Sequence, residues 1–379
     1  MGKSATVLKT ESVPCSWQMP DQQSLYTAQL SGRTLVADGT EYLFFSGTSY
    51  LGIACNPQFE EHLQEGFRLY GTNYSSSRNS NLKLQVYDDV EAYLATFTGA
   101  EAALTISSGY LAGQALIQTL QNGDPFLYAP DAHPALWGSL TNAPSASFTY
   151  DAWAENLPDK VNSLTDQHVV IVCNSLDPLK AQVHSFDWIN SLPKHKKITL
   201  VIDDSHGLGI TGIDGAGIFS QLAYVNQLPH IQLIVVASLG KAFGIPAGVI
   251  LSNKGIKEQL QKSPYFGGAS PAIPAYLHAF LRSNDLYSKS RKQLFSNTGF
   301  FLEQLTYPEL FSYLKIYPVF YTQEKELYLH LLKHKILISS FRYPTPQDEP
   351  ITRVVLNSLH TFDDIKLLTN AINEFTKAC

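Results

Sequence analysis

Cysteine, charge and long apolar runs are all in short supply in this 379-residue chain. Its four cysteines, Cys15, Cys55, Cys173 and Cys379, are widely spaced and form no C-x-x-C pair. A disulfide framework and a zinc ribbon are therefore unsupported, no metal is expected, and a reducing cytoplasm is the expected setting. Charged side chains make up only 16%, and 27 Lys and Arg against 33 Asp and Glu leave a net charge of −6. That balance argues against nucleic acid or an anionic membrane as a partner. No apolar run reaches the roughly eighteen residues of a membrane span, and the richest stretch, Ile231 to Ser238, has the length of a strand. The start, Met1-Gly2-Lys3-Ser4-Ala5-Thr6, fits the loose M-G-x-x-x-[ST] myristoylation pattern. Without a second membrane signal it reads as a tail. Repeats, low-complexity tracts and obvious flexible linkers are missing as well.

What is plentiful is material for a core. Hydrophobic residues reach 44% and aromatics 12%, which excludes disorder as the main state and fits one or two domains. From about residue 95 to 255, short apolar runs alternate with segments of helical spacing: Ala102–Ile106, Pro125–Tyr128, His168–Cys173, Ile198–Ile202, Ile231–Ala237 and Ala247–Leu251. Several lack any polar face, as strands of a mainly parallel sheet covered by helices do, so the fold class is α/β. Helices are predicted over Gln85–Phe97, from Gly109 onward, and along Ala275–Phe301 as a long connector. Short strands near Phe311–Tyr317 and Ile351–Asn357, with helices near Glu324–His334 and Phe362–Lys377, suggest a smaller α+β unit joined by the N-terminal residues. The expected division is 1–45, packing with the small domain; 46–280, the large domain; and 281–379, the small domain.

In open parallel sheets ligands sit at the carboxyl ends of strands, so polar residues just after apolar runs carry the functional argument. Leu200-Val201-Ile202 runs into Asp203-Asp204-Ser205-His206-Gly207 and a glycine-rich exit. A capped strand-end turn is the plain reading. A carboxylate buried there needs a cationic or hydrogen-bonding partner, and the histidine and glycines favour a site. Val235-Val236-Ala237 runs into Ser238-Leu239-Gly240-Lys241-Ala242-Phe243-Gly244. Lysines are usually solvated, yet small neighbours would let a bulky ligand approach, and a desolvated lysine is an amine nucleophile. A nucleotide P-loop fails because Val235 and Ala242 stand where its first glycine and its Ser or Thr belong. Ser108-Gly109-Tyr110 joins a strand to a helix and forms a ready anion site. His133 follows another strand, where a surface imidazole is the alternative.

These stations together resemble the pyridoxal-phosphate-dependent α-oxoamine synthases, the family of 8-amino-7-oxononanoate synthase and serine palmitoyltransferase. The resemblance runs from about Tyr42 to the C-terminus through Tyr50-Leu51-Gly52, Gly71, Ser77-Arg78, Ser108-Gly109-Tyr110, His133, Asp203 to His206, Lys241 to Gly244, and Arg353 with His360-Thr361. It implies the aspartate-aminotransferase-like fold (fold type I), a homodimer with interface active sites, and pyridoxal 5'-phosphate as cofactor. By that resemblance Lys241 forms the internal aldimine, Asp203 pairs with the pyridinium nitrogen, and His206 lies near the phenolic oxygen. His133 stacks on the ring. Ser108, Gly109, Tyr110 and Ser238 bind the phosphate, with a hydroxyl from Ser270 of the neighbouring subunit. Arg353 holds the substrate carboxylate. The implied reaction condenses a small amino acid with an acyl-CoA thioester, with loss of carbon dioxide, to an α-amino ketone.

Some family positions differ. Pro178 aligns with a serine that donates near the cofactor oxygen, and the segment Ser175–His184 is unlike the family throughout. Gly113 replaces an asparagine, Ser49 an Asn or Asp, and Leu82 and Tyr87 a glycine and a histidine. Another pyridoxal-phosphate reaction such as transamination, or a non-catalytic cofactor-binding homologue, are the alternatives. Retention of Lys241, Asp203, His133 and Arg353 speaks against the last.

Overall fold

The computed structural model describes residues 25–29, 32–139, 148–343 and 348–378. Gly2, Cys15 and Cys379 lie outside the described residues. Strands β1 (Thr34–Ala37) and β2 (Thr40–Phe45) come first, then β3 (Ala102–Ile106), β4 (Phe126–Tyr128) and β5 (His168–Asn174). A small hairpin, β6 (Leu176–Asp177) and β7 (Gln182–Val183), precedes β8 (Lys197–Asp203), β9 (Ile231–Ser238) and β10 (Gly248–Ser252). The C-terminal part adds β11 (Ser312–Leu314), β12 (Tyr317–Thr322), β13 (Ile336–Arg342) and β14 (Pro350–Val355).

The first large sheet has the order β3-β10-β9-β8-β5-β4. Strands β9, β8, β5 and β4 run parallel, and β10 runs antiparallel to both its neighbours. The reversal follows from chain length: residues 239–247 turn straight back, with Leu239 N–H donating to the Ala247 carbonyl at 2.8 Å, and so short a return cannot make a parallel crossover. Alternate residues of the sheet enter two cores. Val170, Val172, Val201, Ile234 and Val236 pack with Ala112, Leu116 and Ile117 of the helix Gly109–Leu120. Val169, Ile171, Leu200, Ile202 and Val235 face the other core, where Val90 and Leu94 of the helix Gln85–Thr98 lie. Each such buried aliphatic contributes about 1.5–3 kcal/mol relative to exposure.

The second sheet is mixed, in the order β1-β2-β13-β14-β12-β11, with β2 and β13 parallel. The run near Phe311–Tyr317 is two strands rather than one, parted by Lys315 and Ile316. The predicted connector over Ala275–Phe301 is two helices, Pro274–Arg282 and Asn284–Gln304, broken at Ser283. Ser283 leaves helical geometry at φ −108 and ψ 16, and its hydroxyl donates back to the Ala279 carbonyl at 2.7 Å, competing with the helix ladder. His360 and Thr361 are framework. Nδ1 of His360 accepts from Asn357 N–H, its Nε2 meets the Phe44 carbonyl at 2.9 Å, and burial pushes it down to about 4. Thr361 and Asp364 form a reciprocal cap on the helix Phe362–Ala378. Among the described residues no helix is long and apolar enough to cross a membrane, and no group of three or more His, Cys, Asp or Glu could hold a metal ion.

Candidate active site

Four strand ends of the first sheet and one strand of the second supply the predicted residues. Ser108 and Gly109 follow β3, His133 follows β4, Asp203 closes β8 with His206 just beyond, and Ser238 closes β9 with Lys241 in the turn after it. Arg353 lies within β14, in the second sheet. Ser270 lies exposed in the segment 268–273, on the surface of the single chain.

The helix Gly109–Leu120 starts where it does because Ser108, in extended geometry, caps it by accepting from Leu111 N–H at 3.1 Å. First-turn N–H groups have no intrahelical acceptor, so this end attracts an anion. Gly109 is dictated by proximity: a Cβ there would fall 2.5 Å from that of Ser238. Both serine hydroxyls keep a proton to donate, since Ser108 Oγ accepts from Leu111 and Ser238 Oγ accepts from Gly240 N–H at 3.2 Å. Tyr110 points its ring to the surface, 60% exposed.

Asp203 Oδ1 accepts from Ser205 N–H at 2.8 Å, and Ser205 Oγ in turn accepts from Ser238 N–H at 2.8 Å, so β8 and β9 ends are pinned together. His133 Nδ1 stands 4.0 Å from Asp203 Oδ2, too far for a hydrogen bond, and accepts instead from Ala135 N–H at 3.1 Å. The carboxylate is thus not consumed by the imidazole. Burial depresses the Lys241 ammonium; the charge of Asp203 opposes this and that of Arg353 adds to it. An amine so placed gives up its proton more readily than a surface lysine. His206 is held well below the usual imidazole range by burial and by the charges of Lys241, Arg353 and His133. Its Nδ1 meets the hydroxyls of Tyr50 at 2.7 Å and Tyr317 at 3.2 Å, which are themselves 2.7 Å apart. Burial lifts the Tyr50 phenol to about 12. Nδ1 of a neutral imidazole has one lone pair: it accepts from Tyr50, whose oxygen accepts in turn from Tyr317, and the imidazole keeps its own proton on Nε2.

Arg353 is 5% exposed. One guanidinium nitrogen donates to the Pro178 carbonyl at 2.6 Å, while Nε is buried with no partner. Pro178 offers no donor, yet its carbonyl anchors this arginine. The divergent segment forms the β6–β7 hairpin, and Ser175 N–H donates to the Asp203 carbonyl at 2.9 Å.

Two of the altered positions have a local cause. A Cβ on Gly113 would sit 2.5 Å from the Ala135 carbonyl oxygen, so the loop after His133 descends onto the helix and excludes any side chain. Gly113→Ala is expected to cost about 1–3 kcal/mol by overpacking, read as a lower urea midpoint; an unchanged midpoint would remove this explanation. Tyr87 is buried, donates to the Ala272 carbonyl at 2.8 Å and carries the Arg78 guanidinium 4.1 Å over its ring. Nothing in the structure explains Ser49 or Leu82.

Asp204 faces inward beside Asp203 and accepts from Ile218 N–H at 2.8 Å. Burial lifts its carboxyl from 3.8 to about 7. A carboxyl with a raised folded pKa keeps its proton in the native state after the unfolded chain has lost it, so stability falls as pH rises between those values and levels off above them. Asp204→Asn should remove that slope: urea midpoints at pH 5 and pH 8 should show the variant gaining on wild type at the higher pH. A constant difference would contradict the raised pKa.

Sequence reasoning passed over Asn174, Tyr317, Asp131 and His184. Asn174 closes β5 and was open to the strand-end argument, whereas Tyr317 sits in an aromatic run that looks like any core strand. A cavity of about 960 Å³ opens at the other end of the first sheet, but His168 there is bonded to Asp124 at 2.5 Å and Thr199 at 2.9 Å. It holds none of the groups above, and the strand-end argument favours their site.

Comparison with known proteins gives the family and the fold. The family model described as aminotransferase class I and II matches residues 48–372. The 8-amino-7-oxononanoate synthase of Aliivibrio fischeri is 28% identical over 356 residues, covering 90% of this chain and 91% of that protein. Its counterpart from Hahella chejuensis is 26% identical, covering 94% of each. A serine palmitoyltransferase from S. paucimobilis, solved with bound PLP and myriocin, superposes with TM-score 0.80 at 19% identity, covering 94% of this chain and 92% of that one. The Francisella tularensis 8-amino-7-oxononanoate synthase structure gives 0.69 at 24% identity, covering 89% and 98%. The chain belongs to the aminotransferase class I and II family, with the fold type I architecture of pyridoxal-phosphate-dependent transferases and with α-oxoamine synthases among its relatives.

Proposed function

We propose that this chain is a pyridoxal-phosphate-dependent acyltransferase that joins a small amino acid to an acyl-CoA thioester, with decarboxylation, to give an α-amino ketone. The observation that carries the reading is the convergence of a desolvated Lys241 amine, the Asp203 carboxylate and the partnerless Arg353 Nε at one end of the sheet. The residues suit the cofactor on their own chemistry: an amine for its aldehyde, a carboxylate for its ring nitrogen, and a helix N-terminus with the Ser108 and Ser238 hydroxyls for its phosphate. When bound, pyridoxal phosphate supplies a ring that accepts the electron pair released at the substrate α-carbon.

Lys241 would hold the cofactor through its amine, and as a free amine it would be placed to take the substrate α-proton. Asp203, by its negative charge, would favour a proton on the ring nitrogen. Arg353 has one nitrogen fixed on Pro178, which leaves Nε–H and its remaining donors to receive a carboxylate and set which α-carbon bond stands across the ring. His133 would offer a ring face, and His206 would offer its Nε2–H to the phenolic oxygen. Ser270, exposed on the single chain, would serve the site of a second subunit in a homodimer.

A transamination reading draws on one observation, that Pro178 supplies no donor where acyl transfer in the family uses serine. A screen of amino acids against acyl-CoA thioesters tests the two. Purified protein should carry a visible band that borohydride bleaches while fixing the cofactor on Lys241. Carboxyl-labelled glycine, alanine or serine should release labelled carbon dioxide and free coenzyme A only when thioester is present. Formation of an oxo acid without coenzyme A release would favour transamination, and a colourless protein that cannot be reconstituted would exclude both.

A further inference from the structure

Behind His133 lies a closed polar array that the proposed chemistry does not use. Asn174, 6% exposed at the end of β5, accepts the His133 backbone N–H on Oδ1 at 3.3 Å. Its amide nitrogen donates to the Asp131 carbonyl at 2.6 Å and reaches Asp131 Oδ2 at 3.3 Å. His184 closes the ring of contacts: Nδ1 faces the Asn174 carbonyl at 3.1 Å, and Nε2 faces Asp131 Oδ2 at 3.2 Å. The imidazole lies flat on Tyr150, with centroids 3.6 Å apart and planes 3° from parallel.

Donor accounting fixes the arrangement. A carbonyl only accepts, so Nδ1 of His184 carries a proton, and one further proton lies between Nε2 and Asp131. The Asn174 amide has a single productive orientation, because turning it over would set its NH₂ against the His133 N–H. We propose that Asn174 is the positioning residue for His133, with the Asp131–His184 pair locking its amide in place. This rests on the reading that His133 serves the cofactor site. It also gives a task to the segment 175–184: its last residue supplies the imidazole that steadies the preceding loop. The titratable groups facing the pair are Asp177, Cys173 and Tyr150, none of them cationic.

The test begins with a readout that needs no cofactor. In Asn174→Leu, which keeps size and loses both polar ends, amide hydrogen exchange measured by mass spectrometry over residues 129–137 should accelerate at least tenfold, with residues 203–208 unchanged. Equal exchange in variant and wild type overturns the proposal. The second variant, Asn174→Asp, keeps an oxygen for His133 N–H but turns the other oxygen against two acceptors of Asp131, so it must be protonated to fit. Its Kd for pyridoxal phosphate by equilibrium dialysis should therefore weaken about tenfold more than that of wild type between pH 6 and pH 8.5. A Kd profile parallel to wild type would reduce Asn174 to a structural part and overturn the assignment. Should Asn174→Leu fail to fold, His184→Phe, which preserves the stack on Tyr150, takes its place with the same exchange outcomes. If wild type never binds pyridoxal phosphate, the function falls while the exchange result still judges Asn174.

Discussion

Lys241→Ala is expected to lower turnover by at least about 10³-fold, because in the proposed reaction one side chain supplies both the covalent anchor and the positioned base. The variant should fold. Lys241 sits in a turn whose backbone bonds, including Ile245 N–H to the Leu239 carbonyl at 3.1 Å, do not involve its side chain. The stability sign also favours the variant. A lysine held below its ordinary pKa in the native state costs folding free energy wherever the unfolded chain keeps its proton, so removing it should leave the thermal midpoint unchanged or raised. Steady-state assays with circular dichroism melts make the check. Wild-type turnover would end the assigned role, and a collapsed melt would mean that the loss reports folding instead.

Asp203→Asn should lose about 10- to 10³-fold in turnover, the range set by removing a charge worth one to three units of ring-nitrogen basicity. It separates the electron sink from the anchor, for the amide still accepts from Ser205 N–H and borohydride should still fix cofactor on Lys241. The sign of the pH effect distinguishes it from a misfolded variant. Without the carboxylate the ring nitrogen needs a lower pH to hold its proton, so residual activity should rise toward acid compared with wild type. A profile identical to wild type in shape and height would show that Asp203 does not face that nitrogen.

The first sheet was legible because its strands are buried on both faces and their sequences have no polar side to mislead. The second sheet was read only in part. Strands β1 and β2 face water on one side, and β13, Ile336 to Arg342, has two serines at its centre that blur the apolar signal. The break at Ser283 was invisible because serine is an ordinary helix-surface residue until its hydroxyl finds a carbonyl. At the site, Asp203, His206, Ser238 and Lys241 announced themselves by following apolar runs. Arg353 lies mid-strand, where a lone arginine carries no local signal, and only resemblance to a family singled it out. The roles of Asn174 and His184 depend on tertiary neighbours with no sequence pattern of their own.

The bond from Arg353 to the Pro178 carbonyl ties the second sheet to the turn of the β6–β7 hairpin before any ligand arrives. A free arginine would lose about 1.5–2 kcal/mol of rotational freedom on grasping an anion. Here that ordering has already occurred during folding, so a carboxylate bound as proposed would meet a stiff receptor and retain more of its intrinsic attraction.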